Sequence, residues 1–118
     1  MKQIYVCSAL RGDILSNIEK ARRYCEYVVK KCGAIPIAPH IYFTQFLNDS
    51  IKEERDFGIL AGLQLLGQCD ELWYFGDVIS EGMQKEIQVA NSKVIPVKYV
   101  ESEELEYFFS NEGGLEYV

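Results

Sequence analysis

Residues 80–86 read Ser-Glu-Gly-Met-Gln-Lys-Glu, and the last of them is where chemistry is expected. Wound as a helix from Ser80, the stretch ISEGMQKEIQVA places Met83, Ile87 and Ala90 on one stripe, with Val89 at its edge. Gln84, Lys85, Gln88 and Asn91 fall on the opposite, wet side. Glu86 does not join them; it projects into the apolar arc. A carboxylate aimed at an interior is costly unless it is paired or needed. Partial desolvation there raises its pKa and strips its water, which acid/base or nucleophilic work requires. The competing account is a buried salt bridge, to Arg11 or Arg55.

Other candidates surround this one. Ser80 is a good N-cap, and a helix start attracts anions through its free N–H groups and dipole. Gly82 permits close approach of a ligand to the backbone, and Met83 turns inward beside it. Each of these also has a plain structural reading, as a cap, a turn and a core side chain. Arg11 and Gly12 follow the first β-rich run. Arg11 could grip one terminal phosphate bidentately or simply be solvated. The loop is not GxGxxG, so a dinucleotide fingerprint is absent. His40, the single histidine, could act as acid/base or as a loop hydrogen-bonder. Tyr5 alternates with Cys7 on the first strand, beneath the proposed site. Arg55 and Asp56 fall in the first turns of a later helix, where Asp56 would suit the helix dipole.

These residues need elements to position them. KQIYVCSA reads as a strand ending in the polar loop RGD. Apolar residues at 14, 18, 21, 25, 28 and 32 make an amphipathic helix closed by Gly33. AIPIAPH reads as a second strand, with Pro36 and Pro39 suggesting an edge or a strand end. HIYFTQFLND is expected to be an aromatic-rich loop. Ser50 and Glu53 form a capping box that opens a helix running to about Gly67. That helix is apolar on two sides, through Phe57, Leu60 and Ala61 and through Ile59, Leu63 and Leu66. Being covered on both sides implies packing in an oligomer, so a homodimer or higher homo-oligomer is expected. ELWYFGDV reads as a central strand, SKVIPVKYV as a fourth, and SEELEYFF as a short last helix. The alternation βαβαβαβα predicts an α/β doubly wound parallel sheet of about four to five strands, flavodoxin- or Rossmann-like. Ligands bind such sheets outside the carboxyl ends of the strands. SALRGD, PHIYFTQF and GDVISEGM should therefore line one site.

Composition narrows the partners. The chain of 118 residues suits one compact domain, with residues 1–100 as the α/β body and 101–118 as a short helix and acidic tail packed on it or extending from it. Of 12 Lys+Arg and 18 Asp+Glu, residues 1–100 hold all twelve cations and twelve of the acids, while residues 101–118 hold six Glu. The body is thus neutral, without the basic stripe that tracks a nucleic-acid backbone, and polymeric nucleic acid is not an expected partner. No apolar run approaches a membrane span and no signal-peptide layout opens the chain, so a cytoplasmic protein without membrane contact is expected. The four cysteines show no metal spacing and read as buried free thiols, with Cys25 and Cys32 on the apolar helix face. No metal site is expected.

IYVCSALRGD, CDELWYFGD and SEGMQKE together resemble the nucleoside 2-deoxyribosyltransferase-like superfamily, most of all its small branch in bacteria and their phages. The resemblance covers roughly residues 2–100, and its most specific element is S-x-G-x-x-x-E at Ser80, Gly82 and Glu86. It implies an enzyme acting at the N-glycosidic bond of a nucleoside or nucleotide, related to the 2′-deoxynucleoside 5′-phosphate N-hydrolases, with no cofactor. By the resemblance Glu86 is the nucleophile that attacks C1′ and Tyr5 orients it. Ser8, Arg11 and Gly12 match an S-x-x-R-G loop that holds a 5′-phosphate, to which Ser80 adds a donor. The family's proton donor, an Asp about eight residues before the aspartate that opens the third strand, is replaced here by Gly62. His40, Arg55 or Asp56 could fill that gap. A non-catalytic nucleotide-binding or sensing module remains the alternative.

Overall fold

A computed structural model describes residues 1–111. Its elements are β1 (Gln3–Cys7), α1 (Ile14–Cys32), β2 (Ile35–Ile37), α2 (Pro39–Phe43), α3 (Lys52–Leu66), β3 (Glu71–Phe75), α4 (Glu81–Ser92), β4 (Val97–Val100) and α5 (Ser102–Asn111). The strands form one parallel sheet of four in the order β2-β1-β3-β4. Tyr5 pairs with Ile37 on one side and with Leu72 on the other. This is the expected α/β doubly wound architecture. The chain hops from β2 past β1 to β3, which reverses the winding, so α1 and α5 cover one face and α3 and α4 the other.

Strand alternation sorts the core. Ile4, Val6, Trp73 and Phe75 pack with Tyr27 and Val28 of α1 and with Leu105 and Phe108 of α5. Tyr5, Cys7 and Leu72 face the other way, onto Leu66, Met83 and Ala90. The first part of the acidic tail is therefore docked. Phe108 meets Tyr27 edge to face at 5.3 Å, and the Tyr27 hydroxyl donates to Glu104. The segment GGLEYV lies outside the described residues.

Local chemistry explains the element ends. Asp13 caps α1 by accepting from the Ser16 N–H at 3.2 Å, and Gly33 ends it in the left-handed region at φ +61°. Beside it, Lys30, Lys31 and Cys32 are exposed, so Cys32 is not the buried thiol its place on the stripe suggested. The last turn of α1 runs past the core. Cys7 and Cys69 are buried.

Two further corrections concern the segment before α3. Residues 39–43, expected as the end of the second strand and the start of the loop, are a short helix, because Pro39 sits at its first turn with φ already set for it. The Ser50–Glu53 capping box does not form. Asn48 captures Ser50 instead, its Oδ1 accepting from the Ser50 N–H at 3.0 Å and the Ser50 hydroxyl at 2.6 Å. Glu54 completes the turn by accepting from the Asn48 N–H at 2.9 Å, and α3 starts after Ile51 without a side-chain cap. Along α3, Gly62 and Leu66 are buried, while Phe57 and Leu60 are 58% and 68% exposed. One of its two apolar faces is open in the single chain.

Candidate active site

The reversal of winding lies between β1 and β3, and a cleft of about 910 Å³ opens at the carboxyl ends of these strands. β1 and its following loop supply Tyr5, Ser8 and Arg11; α2 supplies His40; α3 supplies Arg55; the start of α4 supplies Ser80, Gly82, Met83 and Glu86. Nine of the eleven residues singled out in the sequence thus meet here. Gly12 and Asp56 do not line the cleft.

Glu86 is partly buried, one and a half turns into α4. Its Oε2 accepts from the Tyr5 hydroxyl and its Oε1 from the Cys7 thiol at 3.3 Å. Burial pushes its pKa up, and the two hydrogen bonds pull it partway back. The expected alternative, a salt bridge, is not formed among the described residues: Arg11 pairs with Asp49 at 3.4 Å instead. A lone carboxylate held by neutral donors is the central feature of the site. Tyr5 is 2% exposed, and burial together with the Glu86 charge raises its pKa well above the ordinary value, so it stays a donor.

His40 stands with Nε2 3.1 Å from the Ser8 Oγ, and burial lowers its pKa to about 4. Near neutral pH the ring is uncharged. Its carbonyl accepts from the Thr44 hydroxyl at 2.6 Å, which holds the residue from behind. Ser80 caps α4, its Oγ accepting from the Met83 N–H at 3.2 Å. A Cβ on Gly82 would meet nothing within 4 Å, so the start of α4 lies open to a ligand.

Asp56 lies outside the cleft. Its Oδ2 is bound by the Lys52 ammonium at 2.7 Å, which lowers its pKa. Helical spacing explains the miss, since residues 55 and 56 of α3 project about 100° apart and only Arg55 turns to the cleft. Gly12 holds φ +100° and serves the turn after β1. Gly62 lines the floor, where a Cβ would lie 3.4 Å from the Tyr5 hydroxyl and 3.8 Å from Pro39.

Sequence reasoning overlooked Asp49 and Glu54, which line the cleft, and the bond from Cys7 to Glu86. Period-two alternation carried a signal for Cys7, which shares its strand face with Tyr5. Nothing comparable marked Asp49, whose place depends on an irregular loop.

The fold recurs in a solved structure, a 2-deoxyribosyltransferase from the psychrotolerant bacterium Bacillus psychrosaccharolyticus. The TM-score is 0.63 at 20% identity, with 84% of this chain and 72% of that chain covered. None of the curated proteins matches the chain. Among the described residues, no helix is long and apolar enough to cross a membrane. Residues 2–100 match the model of DUF7768, described as a domain of unknown function, and the chain belongs to that family.

Proposed function

We infer that the protein cleaves or transfers at the N-glycosidic bond of a (deoxy)nucleoside 5′-monophosphate or a related nucleotide, with Glu86 as nucleophile. The observation that carries this reading is the Glu86 carboxylate, held in the cleft by Tyr5 and Cys7 with no ion pair to it among the described residues. The likeness in fold to a 2-deoxyribosyltransferase supports it, as do the S-x-G-x-x-x-E and S-x-x-R-G patterns. Those patterns also underlie the assignment to the small bacterial and phage branch.

In this scheme a Glu86 oxygen forms a bond to C1′ as the C1′–N bond breaks, giving a glycosyl ester and the base anion. Gly62 carries no acid, so the base takes its proton from water in the cleft. The hydroxide so formed then displaces Glu86 at C1′ and restores the carboxylate; in a transfer a second base does so instead, and the hydroxide takes the proton that this base loses. Ser8, Arg11 and Ser80, with the N–H groups of α4, receive the phosphate. Arg55 and His40 lie where they would contact the remainder of the ligand.

The sensing alternative has two supports, the glycine at 62 and the ion pair that already engages Arg11. Chromatography for free base, over a panel of ribo- and deoxyribonucleotides, separates the readings. Release by the parent and a loss on the order of 10³-fold or more in a folded Glu86→Gln variant is the expected result. No release, with one nucleotide still raising Tm, would favour the sensor. Neither release nor a Tm rise would overturn both.

A further inference from the structure

Tyr5 accounts for one oxygen of Glu86, and the other is held by a residue whose type is unusual for the task. We propose that Cys7 is a positioning residue, its thiol the second donor that fixes the Glu86 carboxylate for attack. This rests on the reading of Glu86 as nucleophile.

Tyr5 and Cys7 stand two residues apart on β1 and so point to the same face, under α4. They reach different oxygens of one carboxylate, Oε2 and Oε1. A carboxylate pinned at one oxygen can still swivel about its terminal torsion, which is soft. Pinned at both, it presents a fixed lone pair, which an attack on C1′ needs. Cys7 is 0% exposed and is a free thiol, so ligand contact and a disulfide are both excluded as its task in the folded chain. Its single proton has two acceptors in reach, Glu86 Oε1 at 3.3 Å and the Met83 carbonyl at 3.9 Å, and the nearer is the charged one.

The chemistry of sulfur suits this position. Burial and the Glu86 charge drive the thiol pKa far up, so Cys7 stays protonated and never competes as an anion. A thiol is a weak donor, so it orients the oxygen while withdrawing less of its charge than a hydroxyl would. Arg11, His40, Arg55 and Lys85 share the cleft, yet among the described residues only Tyr5 and Cys7 bond to Glu86.

The test reads the carboxyl group directly. Protein labelled with ¹³C at the glutamate carboxyl carbon is titrated by NMR in the parent, Cys7→Ala and Cys7→Ser. Glu86 is expected to titrate higher in Cys7→Ala and to return toward the parent in Cys7→Ser, which restores a donor. The acid limb of kcat for base release moves up with it, with a loss of about tenfold in kcat and little change in KM, as for one lost hydrogen bond to a charged group. Identical titration in parent and Cys7→Ala would overturn the proposal, as would equal shifts in the two variants, the mark of packing alone. A second measurement needs no change at Cys7. The Raman S–H stretch in a parent-minus-Glu86→Gln difference spectrum should shift as the thiol loses its charged acceptor, and no shift would overturn the proposal. Failure of the parent to release any base would remove the glycosidic reading, while the carboxyl titration still decides whether Cys7 holds Glu86.

Discussion

Glu86 and His40 make the site a source of instability with opposite pH signatures. Glu86 has its folded pKa raised above 4.5, so its favourable contribution is present below that pH and is lost as pH rises. Above that pH the unfolded chain gives up this proton more readily than the folded one, so the group weighs against the fold at pH 7, and Glu86→Gln should raise Tm there, with the gain vanishing in acid. Thermal melts of the two proteins at pH 7 and below pH 4.5 would check this, and a loss of Tm at pH 7 would contradict it. His40 works in the other direction. Its folded pKa of about 4 lies below the ordinary 6.5, so the unfolded chain binds the extra proton and stability falls as pH drops from 6.5 toward 4. Denaturant melts across that window should be flatter for His40→Gln than for the parent.

At the scale of elements, α4 carries the site through its first turn. Gly82 costs helix stability in that turn, and a Cβ there would be free of clashes, so Gly82→Ala should stabilise the free protein by a few tenths to about 1 kcal/mol. The same methyl group would stand where a ligand approaches the backbone. It should weaken nucleotide binding by about tenfold, the ~1.4 kcal/mol of one charge-assisted hydrogen bond. Calorimetry alongside thermal melts would show the two effects together; tighter binding would mean that the start of α4 is not a ligand contact. The sequence made α4 legible because Ser80, Gly82 and Glu86 are spaced by the helix itself. The same holds for β1, where alternation puts Tyr5 and Cys7 on one face. It was blind to the segment 39–51, where Pro39 begins a helix and Asn48 competes for Ser50. Those outcomes turn on which of several local donors and acceptors pair, and Asp49 reaches the cleft only after that choice is made. Asp56 was misplaced for a simpler reason: a one-residue step on a helix is a large rotation.

For the molecule as a whole, the open face of α3 continues into an aromatic cluster in which Phe43 meets Phe46 at 6.0 Å and Phe57 at 6.0 Å, with Tyr42 beside them. Tyr42, Phe46, Phe57 and Leu60 are all exposed in the single chain. We propose that this patch is the interface of a homo-oligomer, since exposed apolar patches of this kind are often interaction sites. Light scattering after size exclusion should give more than one chain per particle, and Leu60→Lys should lower the mass toward that of one chain. A parent that runs as a monomer at all concentrations would refute this.

The borders of the sheet say which kind of assembly such a protein can enter. β2 is three residues long with Pro36 at its centre, and Pro36 has no N–H to offer an incoming strand. At the far border Lys98 lays its ammonium 4.6 Å from the Trp73 ring centre and keeps a charge on β4. Among the described residues the β2 border is therefore a poor template for adding strands from other copies, and the charge on β4 disfavours stacking on that border. The association proposed here runs instead through a helix face, and such faces saturate when a closed symmetric particle is complete.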